Sequence, residues 1–393
     1  MPADPMYEVG RRIAVARRAR RLSQPELAAA ANVSLSMLRK IEQGSRAPGD
    51  ATLDAIATAL GLDPSQLLTD QTRTDGRVRA ALPALSAAIA AYDIPMEAPR
   101  RELAELEQAA SEAEAWRLNA QYVNLAQAAP TLVADAAAAL HAATAGQRTR
   151  AARVLVSASR SGDAVAYKFG ARDLSARLID VMRWAAPQTD DPVVSAATAY
   201  VRTETFFSAR AHEAGLRALE HAIDQAPRPT TEQATAARGA LCMRAAVIAG
   251  RAGDADAATE HLHEAEQLAT RVREGVFGGT AFGPDSVRIH RASVAVSLGG
   301  DHAADALNLA REWQPPADLP AERLSGFYIE LARAQLWCGQ MGPAFESLKV
   351  ARRFAPQHTR EHPWARETAA TLRRLRRADT ESLASFAEWI GAV

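Results

Sequence analysis

The sequence predicts an all-α protein, and three observations carry that prediction. Alanine, the strongest helix former, supplies 90 of the 393 residues, whereas β-branched isoleucine supplies only 11. Aromatic residues make up just 5%, so cores must be built from small aliphatic side chains. Apolar residues recur at three- and four-residue spacing between Pro and Gly breaks along most of the chain. At roughly 100–200 residues per domain, the length corresponds to two or three domains.

Charge divides the chain more sharply than composition does. The 46 basic and 46 acidic side chains cancel, yet residues 8–46 hold nine basic residues against three glutamates, a net +6. Six of those cations are arginines between Arg11 and Arg21. Residues 71–393 carry 37 basic and 38 acidic side chains, which gives no general affinity for nucleic acid. No run of about 18 uncharged apolar residues exists, so no membrane span is expected. Met1-Pro2-Ala3-Asp4-Pro5 lacks the basic-then-apolar order of a secretion signal, and a cytoplasmic location is expected. Cys242 and Cys338 are too few for a disulfide framework.

The first element is a basic helix on which Val9, Ile13 and Ala16 keep helical spacing. Ser23 then precedes Gln24-Pro25-Glu26-Leu27, where Ser caps, Pro fits the first turn and Glu26 can close a capping box. That short helix ends near Asn32, a residue that tolerates the left-handed conformation. Ser34 caps a further helix from Leu35 to Gln43, stopped by Gly44. Leu38 and Ile41 face inward and leave Ser36, Arg39, Lys40 and Gln43 outside. A fourth helix after Asp50 aligns Leu53, Ile56, Ala57 and Leu60, and Asp63 caps a fifth through Leu67 and Leu68.

Two short helices joined by a three-residue turn, the second with a polar outer face, define a helix-turn-helix motif. Leu22-Ser23-Gln24-Pro25-Glu26-Leu27-Ala28, Val33-Ser34 and Ile41-Glu42-Gln43-Gly44 resemble the Cro and phage-repressor (XRE) family of DNA-binding domains. The resemblance spans about residues 7–69. It implies that the second helix of the pair enters the major groove of double-stranded operator DNA. Leu35, Ser36, Arg39 and Lys40 then match base-reading positions, and Gln24, Ser34, Gln43 and Arg46 match phosphate-contacting positions. Asn32 stands where the family usually has Gly, and Leu35 and Met37 stand where it usually has polar residues.

The domain organisation expected is a five-helix head over residues 1–70, a polar linker over 71–76, and a helical repeat region over 77–393. Longer helices are expected near 97–128 and 131–145, followed by about six helix pairs. Turn signals at Gly162-Asp163, Ser208-Ala209, Gly253-Asp254, Gly300-Asp301 and Gly339 to Gly342 recur about every 40–47 residues, a solenoid-like period. Residues 231–270 show the unit best: a striped helix, a Gly-Asp turn, then small residues at Ala257, Ala258 and Ala265. The unit resembles the tetratricopeptide (TPR) repeat, although its period exceeds that family's 34 residues. Glu274 to Pro284, with four glycines, Phe277 and Phe282, reads as a flexible connection or as a lid that orders on ligand.

The whole chain is similar to helix-turn-helix regulators with a TPR-like sensor, among them bacterial receptors for signalling peptides. In such receptors the first helix of each pair lines the ligand groove. The resemblance implies a groove near Tyr200, Arg202, Phe206, Arg238, Arg244, Phe282, Arg288, Arg291, Tyr328 and Arg333. Asparagines that hold a peptide backbone are few here, only Asn119, Asn124 and Asn308, whereas clustered arginines favour an anionic ligand or a free carboxylate. His261 and His263 are two apart and point to opposite sides of a helix, so no metal site is expected there. No nucleophile elbow, phosphate loop or zinc-spaced cluster occurs, so neither an enzyme nor a cofactor is expected. The function expected is a homodimeric DNA-binding transcriptional regulator whose repeat domain binds an effector, a peptide or a small anionic molecule. The alternative is an interaction scaffold for a partner protein, with DNA binding secondary.

Overall fold

The computed structural model describes residues 5–45, 48, 50–60, 73–95, 97–375 and 381–392. The chain divides into two compact units, Met1–Gly76 and Arg77–Val393.

The first unit contains α1 (Pro5–Ala19), α2 (Gln24–Ala30), α3 (Leu35–Glu42) and α4 (Asp50–Ala59). Ser23 accepts from the Glu26 amide while Glu26 reaches back to the Ser23 amide, the complete capping box. Asn32 turns the chain at φ +50°, Ser34 caps α3 through the Met37 amide, and Gly44 leaves α3 at φ +73°. Ile13, Leu27, Leu38, Ile41, Ile56 and Leu60 form a fully buried core. A methyl group on Gly10 would fall 1.9 Å from the Ile41 carbonyl oxygen, so only glycine lets α1 lie against the end of α3. The fifth helix expected over 63–68, and Arg46, lie outside the described residues.

The second unit begins within α5 (Arg73–Ala90), a helix that starts inside the segment expected as a linker. Next come α6 (Leu103–Leu118) and α7 (Tyr122–Ala142). The helices expected near 97–128 and 131–145 divide elsewhere. Pro130 sits inside α7, and the break falls at Ala120 instead, left-handed at φ +54°. Hydrogen bonds from the Ala120 amide to the Arg117 carbonyl and from the Gln121 amide to the Trp116 carbonyl close that end of α6.

Helix pairs then follow in order: α8 (Ala145–Lys168) with α9 (Arg172–Ala185), α10 (Pro192–Ala209) with α11 (His212–Gln225), and α12 (Glu232–Ala252) with α13 (Ala255–Ala269). After a hairpin come α14 (Pro284–Leu298) with α15 (Ala303–Glu312), and α16 (Ala321–Trp337) with α17 (Met341–Phe354). A short α18 (Pro356–Glu361) leads to α19 (Pro363–Leu375) and α20 (Glu381–Ile390). The partners of each pair pack on one another, and successive first helices pack side by side. No helix among the described residues is long and apolar enough to cross a membrane.

Two further sequence expectations fail in this unit. Gly162-Asp163 is not a turn but lies buried within α8, where a Gly162 side chain would press on Leu85 and Leu178. The turn falls at Gly170, φ +77°. Residues 274–284 are not an open loop either. They form an antiparallel hairpin, β1 (Gly275–Phe277) with β2 (Thr280–Phe282). Gly278 and Gly279 supply the two positive-φ positions of its two-residue turn. Phe282 is fully buried, its ring occupying the space a Gly239 side chain would need.

Candidate functional sites: a recognition helix and a charged cavity

In the head, three polar side chains tie the helix-turn-helix together. Arg17 of α1 forks onto Glu42 of α3 at 2.7 and 3.0 Å, and Gln24 of α2 donates to the same carboxylate at 2.8 Å. Burial alone raises the Glu42 carboxyl, but these hydrogen bonds and the charge of Arg17 outweigh it and hold Glu42 below the ordinary range. Arg17 also closes the α1–α2 turn through the Leu22 carbonyl.

This network fixes how α3 is presented. Ser36, Arg39 and Lys40 stand exposed on its outer face, with Ser34 at the cap and Gln43 just beyond the last turn. Leu35 is half-buried and packs with Met37 against the core. Gln24 gives one amide donor to Glu42 and keeps the rest of its amide for another partner.

In the second unit, the first helices of five successive pairs enclose a cavity of about 250 Å³. Its wall includes Arg160, Asp163, Tyr167 and Lys168 of α8, Tyr200 and Glu204 of α10, and Arg244 and Arg251 of α12. His290 of α14, Glu322, Arg323 and Glu330 of α16, Arg117 of α6, His358 of α18 and the hairpin turn line it too. The far end of the unit closes on its start: Gln357 accepts from the Val123 amide, and Lys168 contacts both Glu322 (2.7 Å) and His358 (3.3 Å).

The charges in this wall are strongly coupled. Burial would raise Glu322, but Lys168 holds it at about 2. Burial and Lys168 press His358 down to about 3, so it is a neutral acceptor for the ammonium. Burial and the nearby Glu204 push Asp163 well up, and it keeps its proton where ordinary carboxyls have lost theirs. Burial and neighbouring Arg117 bring Arg160 down to about 9. Burial raises the Tyr200 phenol, yet Arg244 and Arg323 overcome it and bring Tyr200 to about 8.

Of the ten residues expected at an effector groove, Tyr200 and Arg244 line this cavity. Arg202 lies over Phe206, Arg238 pairs with Glu264, Arg288 with Asp285, and Arg291 with Glu266. Phe282 packs into the core, and Tyr328 stacks on Phe354. Arg333 lies over Trp337 and Trp364 and pairs with Glu330. The cations that the expectation missed are Arg117, Arg160, Lys168, Arg251 and Arg323. Reading Gly162-Asp163 as a turn hid a legible stripe, Arg160, Asp163 and Tyr167 at helical spacing on one face of α8.

The head thus has the geometry of a helix-turn-helix DNA-binding domain, joined in this chain to a unit of stacked helix pairs with one hairpin. Residues 13–67 match the helix-turn-helix family HTH_3. A 64-residue stretch, 16% of this chain, is 42% identical to the immunity repressor protein of Bacillus phage phi105. The match spans 44% of that repressor's length. Among solved structures, the apo form of the competence regulator ComR from Streptococcus vestibularis aligns at 13% identity and TM-score 0.30, over 95% of this chain and 99% of that one. Bacillus thuringiensis PlcR in complex with the peptide PapR7 and DNA aligns at 14% identity and TM-score 0.24, over 67% of this chain and 95% of that one. Both scores are too low to align the helices of the second unit one by one.

Proposed function

We propose that this protein is a sequence-specific DNA-binding transcriptional regulator whose second unit binds an effector in its charged cavity and so alters operator binding. The observation that carries the DNA-binding part is the outer face of α3, where Ser36, Arg39 and Lys40 stand exposed on a helix pinned by Arg17, Gln24 and Glu42. Arg and Lys at such positions pair with the N7 and O6 acceptors of guanine. One small head covers few base pairs, so the protein acts as a homodimer on half-sites about one helical turn apart. The effector acts by preferring one arrangement of the two heads, and its influence is limited to its differential affinity for the two states.

The test is a gel-shift titration of the full chain on DNA from upstream of its own gene. Replacing Arg39→Ala and Lys40→Ala together lowers affinity at least about tenfold, since a good base contact contributes roughly 1–3 kcal/mol. Circular dichroism of the variant stays unchanged because both side chains are exposed. Undiminished binding by the double variant overturns the assignment of α3.

A further inference from the structure

The cavity wall holds six cations, Arg117, Arg160, Lys168, Arg244, Arg251 and Arg323, against four carboxyl groups, Asp163, Glu204, Glu322 and Glu330. Each of those carboxyls already has a partner, although Glu204 Oε2 accepts no hydrogen bond among the described residues. Glu322 takes Lys168 at 2.7 Å, Glu330 takes Arg333, Glu204 lies 3.5 Å from Arg244, and Asp163 accepts from Ser175 at 2.6 Å. Arg251 lies over the Phe207 ring, and three further guanidinium groups donate to neutral acceptors, with Glu114 the nearby carboxylate that acts on Arg160. Arg160 donates to the Gly278 carbonyl and the Thr280 hydroxyl. Arg117 donates to the Gly279 carbonyl at 2.7 Å, and its Nε, buried in a side chain only 8% exposed, has no hydrogen-bond partner among the described residues. Arg323 forks onto the His290 Nε2 and the Tyr200 hydroxyl, both at 3.0 Å. Because His290 Nδ1 faces the Ser286 carbonyl at 2.8 Å, its Nε2 is the ring's acceptor nitrogen.

Guanidinium taken from water demands a strong partner, and neutral carbonyls, a hydroxyl and an imidazole are weak ones. Arg244, beside Glu204 and donating to the Thr203 hydroxyl at 2.8 Å, adds a further cation over the Tyr200 ring at 4.5 Å. We propose that the cavity binds a small molecule through an oxyanion group, a carboxylate or a phosphate, seated on Arg160, Arg244 and Arg323 beside the Tyr200 hydroxyl. This rests on the reading of the cavity as the effector site and gives that effector its chemical class. The phenol itself reports the local field. Facing Arg160 and Asp163 of α8, Glu204 of its own helix, Arg244 of α12, His290 of α14 and Arg323 of α16, it is drawn down to about 8. A bound oxyanion neutralises the same field, so it returns the phenol toward its ordinary value.

The experiment titrates the full-length protein with citrate and, separately, with inorganic phosphate, holding ionic strength constant with sodium chloride. Tyrosinate absorbance is read just above the Tyr200 midpoint. The expected result is a saturable loss of tyrosinate signal with at least one of the two probes and none with chloride. Tyr200→Phe removes the signal while calorimetry still records binding. Arg323→Gln weakens binding at least about tenfold, and Arg323→Lys, which keeps the charge and loses the fork, falls between. Tighter binding of citrate assigns a carboxylate ligand, and tighter binding of phosphate a phosphorylated one. An equal response to chloride, wild-type affinity in folded Arg323→Gln, or binding that leaves the tyrosinate signal unmoved overturns the proposal. A gel shift in the same titration separates the two readings. Anion binding with constant operator affinity rejects the regulatory role and keeps this site. Operator affinity that answers only to neutral ligands, with no anion bound, rejects this site and keeps the regulatory role.

Discussion

Glu42 is the residue on which the presentation of α3 depends. Its side chain is only 5% exposed, and three helices converge on it through Arg17 and Gln24. Breaking one partner of such a pair leaves the other buried and uncompensated, at a cost of roughly 3–5 kcal/mol. Glu42→Gln is expected to cost about that much and to speed amide hydrogen exchange across α1–α3, with α8–α17 unaffected. The pH dependence follows from the depressed carboxyl. The stabilisation is fully present above the ordinary glutamate range and is lost as pH falls through the lower folded-state value. Corrected for the base-catalysed intrinsic rate, protection in α1–α3 therefore falls on acidification in the wild type and falls less in Glu42→Gln, where Glu26 is the depressed carboxyl that remains. An equal acid response in both would assign the acid sensitivity to another carboxyl.

At the level of elements, the hairpin joins core and cavity. Phe282 anchors its base in the slot left by Gly239, and Glu274 caps α14 through the Asp285 and Ser286 amides and the Ser286 hydroxyl. Its turn carbonyls hold Arg117 and Arg160. Phe282→Ala is expected to destabilise the second unit by about 3–5 kcal/mol through the cavity it leaves. It also weakens anion binding as the turn loses its seat. Thermal unfolding followed by tryptophan fluorescence measures the first effect and calorimetry the second, and unchanged stability would mean that the hairpin packs independently of the core.

The same elements show what the sequence made legible. Helices, caps and most turns carry local signals, such as Ser23 with Glu26 or Gly253 before Asp254. The turn made by Ala120 at positive φ carries none, because an L-residue pays a conformational cost there that only tertiary packing offsets, and the turn at Arg210 lies just past the expected Ser208-Ala209. The helix-turn-helix was readable because its recognition face is one short helix. The cavity was not, since its charged wall is assembled from residues as far apart as Arg117 and Glu330, and chain periodicity alone does not say which arginines meet.

For the whole molecule, the division into two units has a measurable consequence. Among the described residues, the head's core, centred on Ile13, Leu38 and Ile56, shares no residue with the clusters of the second unit. All six tryptophans, Trp116, Trp184, Trp313, Trp337, Trp364 and Trp389, belong to Arg77–Val393. Tryptophan fluorescence excited at wavelengths that spare Tyr7 therefore follows the second unit alone, while far-ultraviolet circular dichroism follows the helices of both. Gly10→Ala separates them cleanly. Its methyl group would stand 1.9 Å from the Ile41 carbonyl oxygen, a backbone atom that cannot swing aside as a flexible side chain would. Overpacking of this kind costs roughly 1–3 kcal/mol, which outweighs the gain of at most about 1 kcal/mol from replacing a helical glycine by alanine. The variant is expected to lower an early circular-dichroism transition and to weaken operator binding, while the fluorescence-detected transition stays within error of wild type. Mutational effects at sites without shared partners add independently. A matching fall in the fluorescence transition would instead mean that the two units unfold as one cooperative body.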